Sequence, residues 1–227
     1  MVAMQSSHRL CAYDRAGLGA SEPPPEASRT TSDLVDDLRA LLDAASIPGP
    51  FVLGSWSIGA WPATLFTQRY PDEVVGLVFV DPRGPRVSES WRAALPPAAS
   101  DEPRAVADER EALDSFETDP SLNDEHLLLT TSAAEAAAAL DAPGRLFGDR
   151  PVVVLSAANM LTRWRDLPSD MGPAFEEAWR AGQKEFADES TTGTLTIVPD
   201  SGHGIQIEQP PVVIEAIESI LADAAMQ

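Results

Sequence analysis

The sequence predicts an α/β fold, a mostly parallel sheet with helices on both faces, and three observations predict it. Short apolar runs at Phe51–Leu53, Val74–Val80 and Pro151–Ser156 are continuous rather than alternating, the pattern of strands covered on both sides. Segments of helical composition or periodicity lie between them. Proline- and glycine-bearing clusters such as Pro48-Gly49-Pro50 and Pro71-Asp72-Glu73 mark the boundaries.

Taken in order, residues 9 to 13 read as a strand and 14 to 29 as a loop rich in Gly and Pro. Thr31, Ser32 and Asp33 offer N-caps to a helix with apolar positions 34, 35, 38, 41, 42 and 45, closed by Ile47 to Pro50. The strand from Phe51 leads into a helix running to about Tyr70, with Pro62 in its first turn, where carbonyl partners are still missing. Val74 to Val80 then runs to Asp81. From Pro82 to Arg150 prolines, arginines, acidic residues and the alanine-rich segment Ser132 to Leu140 suggest short helices. Pro151 to Ser156 is a further strand, about Pro173 to Asp188 a helix, and Thr194 to Val198 the last strand. Pro210-Pro211 opens a closing helix with apolar positions 213, 217, 220 and 221.

With 227 residues and 44% hydrophobic content, one domain with a sizeable core is expected. A formal charge of -20 would repel nucleic acid and anionic membrane, so neither is expected as a partner. The single cysteine, Cys11, rules out an intrachain disulfide and sits in an apolar run, where a small buried residue is expected. No stretch approaches a membrane span, and Met1 to Leu10 lacks the apolar region of a signal peptide, so the expected location is cytoplasmic.

The chemistry centres on Phe51-Val52-Leu53-Gly54-Ser55-Trp56-Ser57-Ile58-Gly59-Ala60. A strand, a sharp turn and a helix would place Ser57 at the tip, and such a turn needs small residues two places either side, here Ser55 and Gly59. This stretch resembles the nucleophile elbow of the α/β-hydrolase family in the variant S-x-S-x-G. Two further stretches are similar to that family: Tyr13-Asp14-Arg15-Ala16-Gly17-Leu18-Gly19-Ala20-Ser21, and Ser201-Gly202-His203 after the last strand. They fall in family order, the elbow about 40 residues after the first and the histidine about 145 beyond that. The resemblance covers nearly the whole chain except roughly 84 to 150. It implies a core of 1–83 and 151–227, with 84–150 as a small cap or lid insertion in preference to an ordinary linker.

The resemblance implies a serine hydrolase cleaving a small carboxylic ester or lactone. A serine hydroxyl needs a base within hydrogen-bond reach. His203 is the candidate, because His8 precedes a strand at the terminus and His126 reads as a helix-surface residue. The family usually carries the triad acid after the next-to-last strand, but Ala157-Ala158-Asn159-Met160 contains no carboxylate. Some members carry it one strand earlier, which points to Asp81, with Asp166 and Asp170 as alternatives and Asp200 as a loop residue. The N–H of Ile58 would be one oxyanion donor. Trp56 would wall the acyl pocket or belong to the core, and Asp14 and Arg15 would order the glycine loop. No motif suggests a metal, nucleotide or flavin.

The second oxyanion donor normally comes from an H-G loop upstream of the Y-D-R segment, and neither that loop nor its strand is in this sequence. The fold is therefore read as N-terminally truncated, with a gap between the Y-D-R strand and the elbow strand. The strands could close that gap, or another chain could complete it, since an open edge invites pairing with a second copy. The alternative reading is a catalytically impaired remnant or binding module without a complete oxyanion hole. A haloperoxidase-like or lyase member of the same fold is a third, because fold does not dictate chemistry.

Overall fold

The structure is a computed structural model and describes residues 9–160, 164 and 166–224. Its frame is a four-stranded sheet of β1 (Phe51–Trp56), β2 (Val74–Val80), β3 (Val152–Ala157) and β4 (Thr194–Val198) in that spatial order, every neighbouring pair parallel. The helices are α1 (Thr31–Ala44), α2 (Ala60–Arg69), α3 (Val87–Ala94), α4 (Arg104–Thr118), α5 (Leu129–Leu140), α6 (Met171–Asp188), α7 (Ile205–Glu208) and α8 (Pro210–Ala224).

The continuous apolar run of β2 has a direct cause. Leu77 and Phe79 enter one core with residues of α1, α2 and α5, while Val78 and Val80 enter a second with residues of α3, α4, α6 and α8. Both faces exclude water, so neither set of alternate positions is polar. The alanine face of α5, with Ala136 and Ala139 buried, packs against α2, so the 84–150 stretch shares the sheet's own core there. The N-cap of α1 is Thr30, one residue before the candidate caps, and its N–H donates to the Asp33 carboxylate at 2.7 Å. The parallel register brings the carboxyl ends of neighbouring strands together, Trp56 opposite Val80 and Val80 opposite Leu155. Loops leaving those ends form one rim, the usual place for a ligand in such a sheet.

Two expectations are corrected. Residues 9–13 form no strand, and Cys11 is exposed, not buried. A strand persists only through a neighbour's hydrogen bonds, and no described strand lies beside this segment. The segment is tied down by its loop instead. Asp14 accepts from the N–H of Ala20 at 3.0 Å, and Arg15 makes a two-pronged pair with Glu125 at 2.5 and 2.9 Å. That pairing raises the Arg15 guanidinium above its usual pKa. The consequence for the sheet is that β1, expected to flank a gap, is its edge among the described residues, with Gly54 and Trp56 exposed.

Candidate active site

Ser57 follows β1 directly and has φ of 55°, left-handed backbone that a non-glycine residue adopts only under constraint. The constraint comes from both sides. A 3-10 turn at Ser57–Gly59 opens α2, and the N–H of Arg83 donates to the Ser57 carbonyl at 3.1 Å. A Cβ on Gly59 would lie 3.5 Å from the Cβ of Ser55, an ordinary contact distance, so strand and helix run close together at these two small residues. Ile58 sits half-buried in that turn beside the serine.

His203 lies in the loop between β4 and α7, its imidazole Nε2 3.0 Å from Ser57 Oγ and its Nδ1 2.6 Å from Asp81 Oδ2. The ionised carboxylate can only accept, so Nδ1 carries the proton and Nε2 is left to accept from the serine hydroxyl. Asp81 is fully buried at the end of β2 and also has left-handed backbone, φ 41°. Its second oxygen, Oδ1, accepts from Ala157 N–H at 2.9 Å, Trp179 Nε1–H at 3.2 Å and Gln183 Nε2–H at 2.7 Å. A buried carboxylate is tolerated only when paired and hydrogen-bonded, and this one is both.

The histidine's own backbone is held as well. Trp56 donates its indole N–H to the His203 carbonyl at 2.7 Å, with ring centroids 4.8 Å apart, and the Gly202 N–H donates to Glu208 at 2.7 Å. Trp56 remains 45% exposed, so it does not belong to the core.

The structure thus brings Ser57, His203 and Asp81 together, with Ile58 and Trp56 adjoining. Asp170 stands at the N-cap position of α6 without a side-chain capping bond and, like Asp166, is exposed, while Asp200 occupies an exposed left-handed turn. His126 is on no helix surface: it lies in a loop with φ 52°, its Nδ1 3.0 Å from the Glu26 carbonyl. The turn feeds the backbone bridge of Arg29 with Leu127, which breaks the helix expected there. His8 lies outside the described residues. Trp179 and Gln183 were not singled out from the sequence as site residues. The available signal was their four-residue spacing, which puts both on one helix face. Among the described residues no group of three or more His, Cys, Asp and Glu is placed to hold a metal, and no helix is long and apolar enough to cross a membrane.

With that geometry in place, the chain belongs to the alpha/beta hydrolase family, whose sequence model matches residues 2–216. Solved structures similar to it include a probable hydrolytic enzyme of Pseudomonas aeruginosa, 22% identical over 92% of this chain and 74% of that one, with TM-score 0.55. Another is a thermophilic esterase of Thermogutta terrifontis, 22% identical over 93% and 78%, with TM-score 0.50. At that identity the likeness is one of fold. The Bacillus subtilis protein YqjL is 37% identical over 70 residues, 31% of this chain and 27% of YqjL. The chain matches only a short part of its curated relatives, down to 12% of the length of a probable transporter from Hormonema carpetanum.

Proposed function

We propose that this chain is a serine hydrolase that cleaves a small carboxylic ester or lactone through an acyl-enzyme. The observation that carries the reading is the unbroken chain of hydrogen bonds from Ser57 Oγ through His203 to a fully buried Asp81, mounted on a strained strand-to-helix turn. Ser57 Oγ attacks the carbonyl carbon as its proton passes to His203 Nε2. The imidazolium that forms is stabilised by Asp81. It returns the proton to the leaving oxygen as the ester C–O bond breaks, and a water activated by His203 then releases the acid. Ile58 N–H is the first oxyanion donor in this reading, and loss of such a donor typically costs on the order of 100- to 1000-fold in rate. The exposed face of Trp56 borders the acyl group, and residues 84–150 shape the substrate's side as a lid. The surface charge of -20 supports a small-molecule substrate over nucleic acid or an anionic membrane, and the location read from the sequence is cytoplasmic.

One observation favours a second reading, a remnant or binding module of impaired activity. Among the described residues β1 is the sheet edge, and no described strand lies beside it to deliver a second oxyanion donor. Fluorophosphonate labelling of the purified chain, read by intact mass against Ser57→Ala, separates the two. A single adduct absent from the variant supports the hydrolase. No adduct on a chain that is folded by circular dichroism refutes it and leaves the remnant.

A further inference from the structure

Resting on that reading, we infer that Gln183 and Trp179 of α6 are positioning residues for the acid–base pair: they hold the Asp81 carboxylate so that Oδ2 alone serves His203. The two residues lie four apart on one helix face and both donate to the same oxygen, Oδ1. With Ala157 N–H as the third donor, the carboxylate cannot rotate without breaking three bonds. Trp179 also meets the imidazole edge-on, centroids 5.5 Å apart, and is stacked against Trp91, so it fixes acid and base with one ring.

Gln183 is the more telling of the two, because it is a poor choice for stability. The residue is completely buried, and since a carboxylate accepts only, its amide nitrogen must face Asp81. Its carbonyl Oε1 is then left buried without a hydrogen-bond partner among the described residues. A buried, unsatisfied polar atom is a cost that methionine or leucine of similar size would avoid. What methionine cannot supply is the N–H to Asp81.

The charged groups packed around this pair are few. Glu208 accepts from Gly202 beside the histidine, Arg180 binds the Ser156 hydroxyl, the Ala158 carbonyl and Glu176, and Arg83 pairs with Glu117 beyond the end of β2. Gln183 and Trp179 are the neutral side-chain donors to Asp81. Removing one destabilises the net anionic state of the Asp81–His203 dyad, so the dyad takes up its proton at higher pH.

The test compares the parent with Gln183→Met and Trp179→Phe on an activated short-chain ester. Both variants are expected to lose about tenfold in kcat, the scale of one hydrogen bond to a charged group, with KM little changed. The acid limb of the pH–rate profile moves up, and the Gln183→Met melting temperature holds or rises. A Gln183→Met protein with the parent's kcat and pH profile overturns the inference while the hydrolase reading stands. A parent without Ser57-dependent turnover overturns the hydrolase reading. The positioning is then read from the His203 imidazole titration by NMR: a higher midpoint in Gln183→Met supports it, and an unchanged one overturns it.

Discussion

Asparagine at position 81 separates shape from charge at the site. Asp81→Asn keeps the volume of a fully buried side chain but replaces one acceptor oxygen by an NH2 donor. The structure dictates which way the amide turns. Three N–H groups converge on the Oδ1 position and one imidazole nitrogen faces Oδ2, so the amide oxygen takes the three donors and the NH2 faces His203. His203 Nδ1 must then accept, which moves the ring proton to Nε2 and leaves Ser57 without a base. The imidazolium formed in the reaction also loses its counter-charge. In a Ser-His-Asp arrangement that combination costs about 10⁴ in kcat, or about 5 kcal/mol of barrier. Folding is affected far less, because all three donors keep a partner and the cost of burying a charge disappears; a net change within about 2 kcal/mol is expected. The assay is kcat/KM for an activated acetate or butyrate ester, paired with urea unfolding followed by circular dichroism. An Asp81→Asn protein with native stability and activity within tenfold of the parent would refute the reasoning, because neither tautomer nor charge would then matter.

Two further perturbations test the surroundings of the site. Gly84 and Gly182 face each other where the loop after β2 meets α6, and a Cβ on Gly182 would stand 2.9 Å from the Gly84 Cα. Gly182→Ala should therefore lower stability by about 1–3 kcal/mol, and reduce turnover by displacing the helix that carries Gln183; an unchanged urea midpoint would contradict this. The carboxyl of Glu185 is raised from its usual value of 4.5, burial outweighing the attraction of Arg86. A raised carboxylate contributes stability below its unfolded value and loses it as pH climbs through the folded one. The urea midpoint of Glu185→Gln should accordingly gain on the parent as pH rises from 4.5, and a constant difference would show that burial is not felt.

The four strands and the long helix of residues 171–188 were legible because burial on both sides leaves its mark in the local composition. Ser57 and His203 were legible for a similar reason: a sharp turn and a glycine-flanked loop impose small residues nearby. The proposed triad acid was harder. Asp81 is bonded to partners 76, 98, 102 and 122 residues away, and no local pattern distinguishes it from Asp166 or Asp170. Gln183 stands between Gly182 and Lys184 and reads as an ordinary helical polar residue until Asp81 is placed beside it. The Leu10-Cys11-Ala12 run misled in the opposite sense, since apolar composition is local whereas strand formation depends on a neighbour.

The position of β1 at the edge of the described sheet has a dynamic consequence. Amides on the open side of an edge strand lack ladder partners and exchange with solvent through small, local openings rather than global unfolding. Ser57 thus rides on the margin of the described sheet, whereas Asp81 ends the interior strand β2 and is fully buried. The Ser57 turn keeps its strained shape through α2, whose Trp61 ties to the Arg83 carbonyl, and through the Arg83 N–H on the serine's own carbonyl. Local melting of β1 would disengage Ser57 from Asp81 and, with Trp56, remove one tie of the His203 loop, so catalytic competence and global stability need not be lost together.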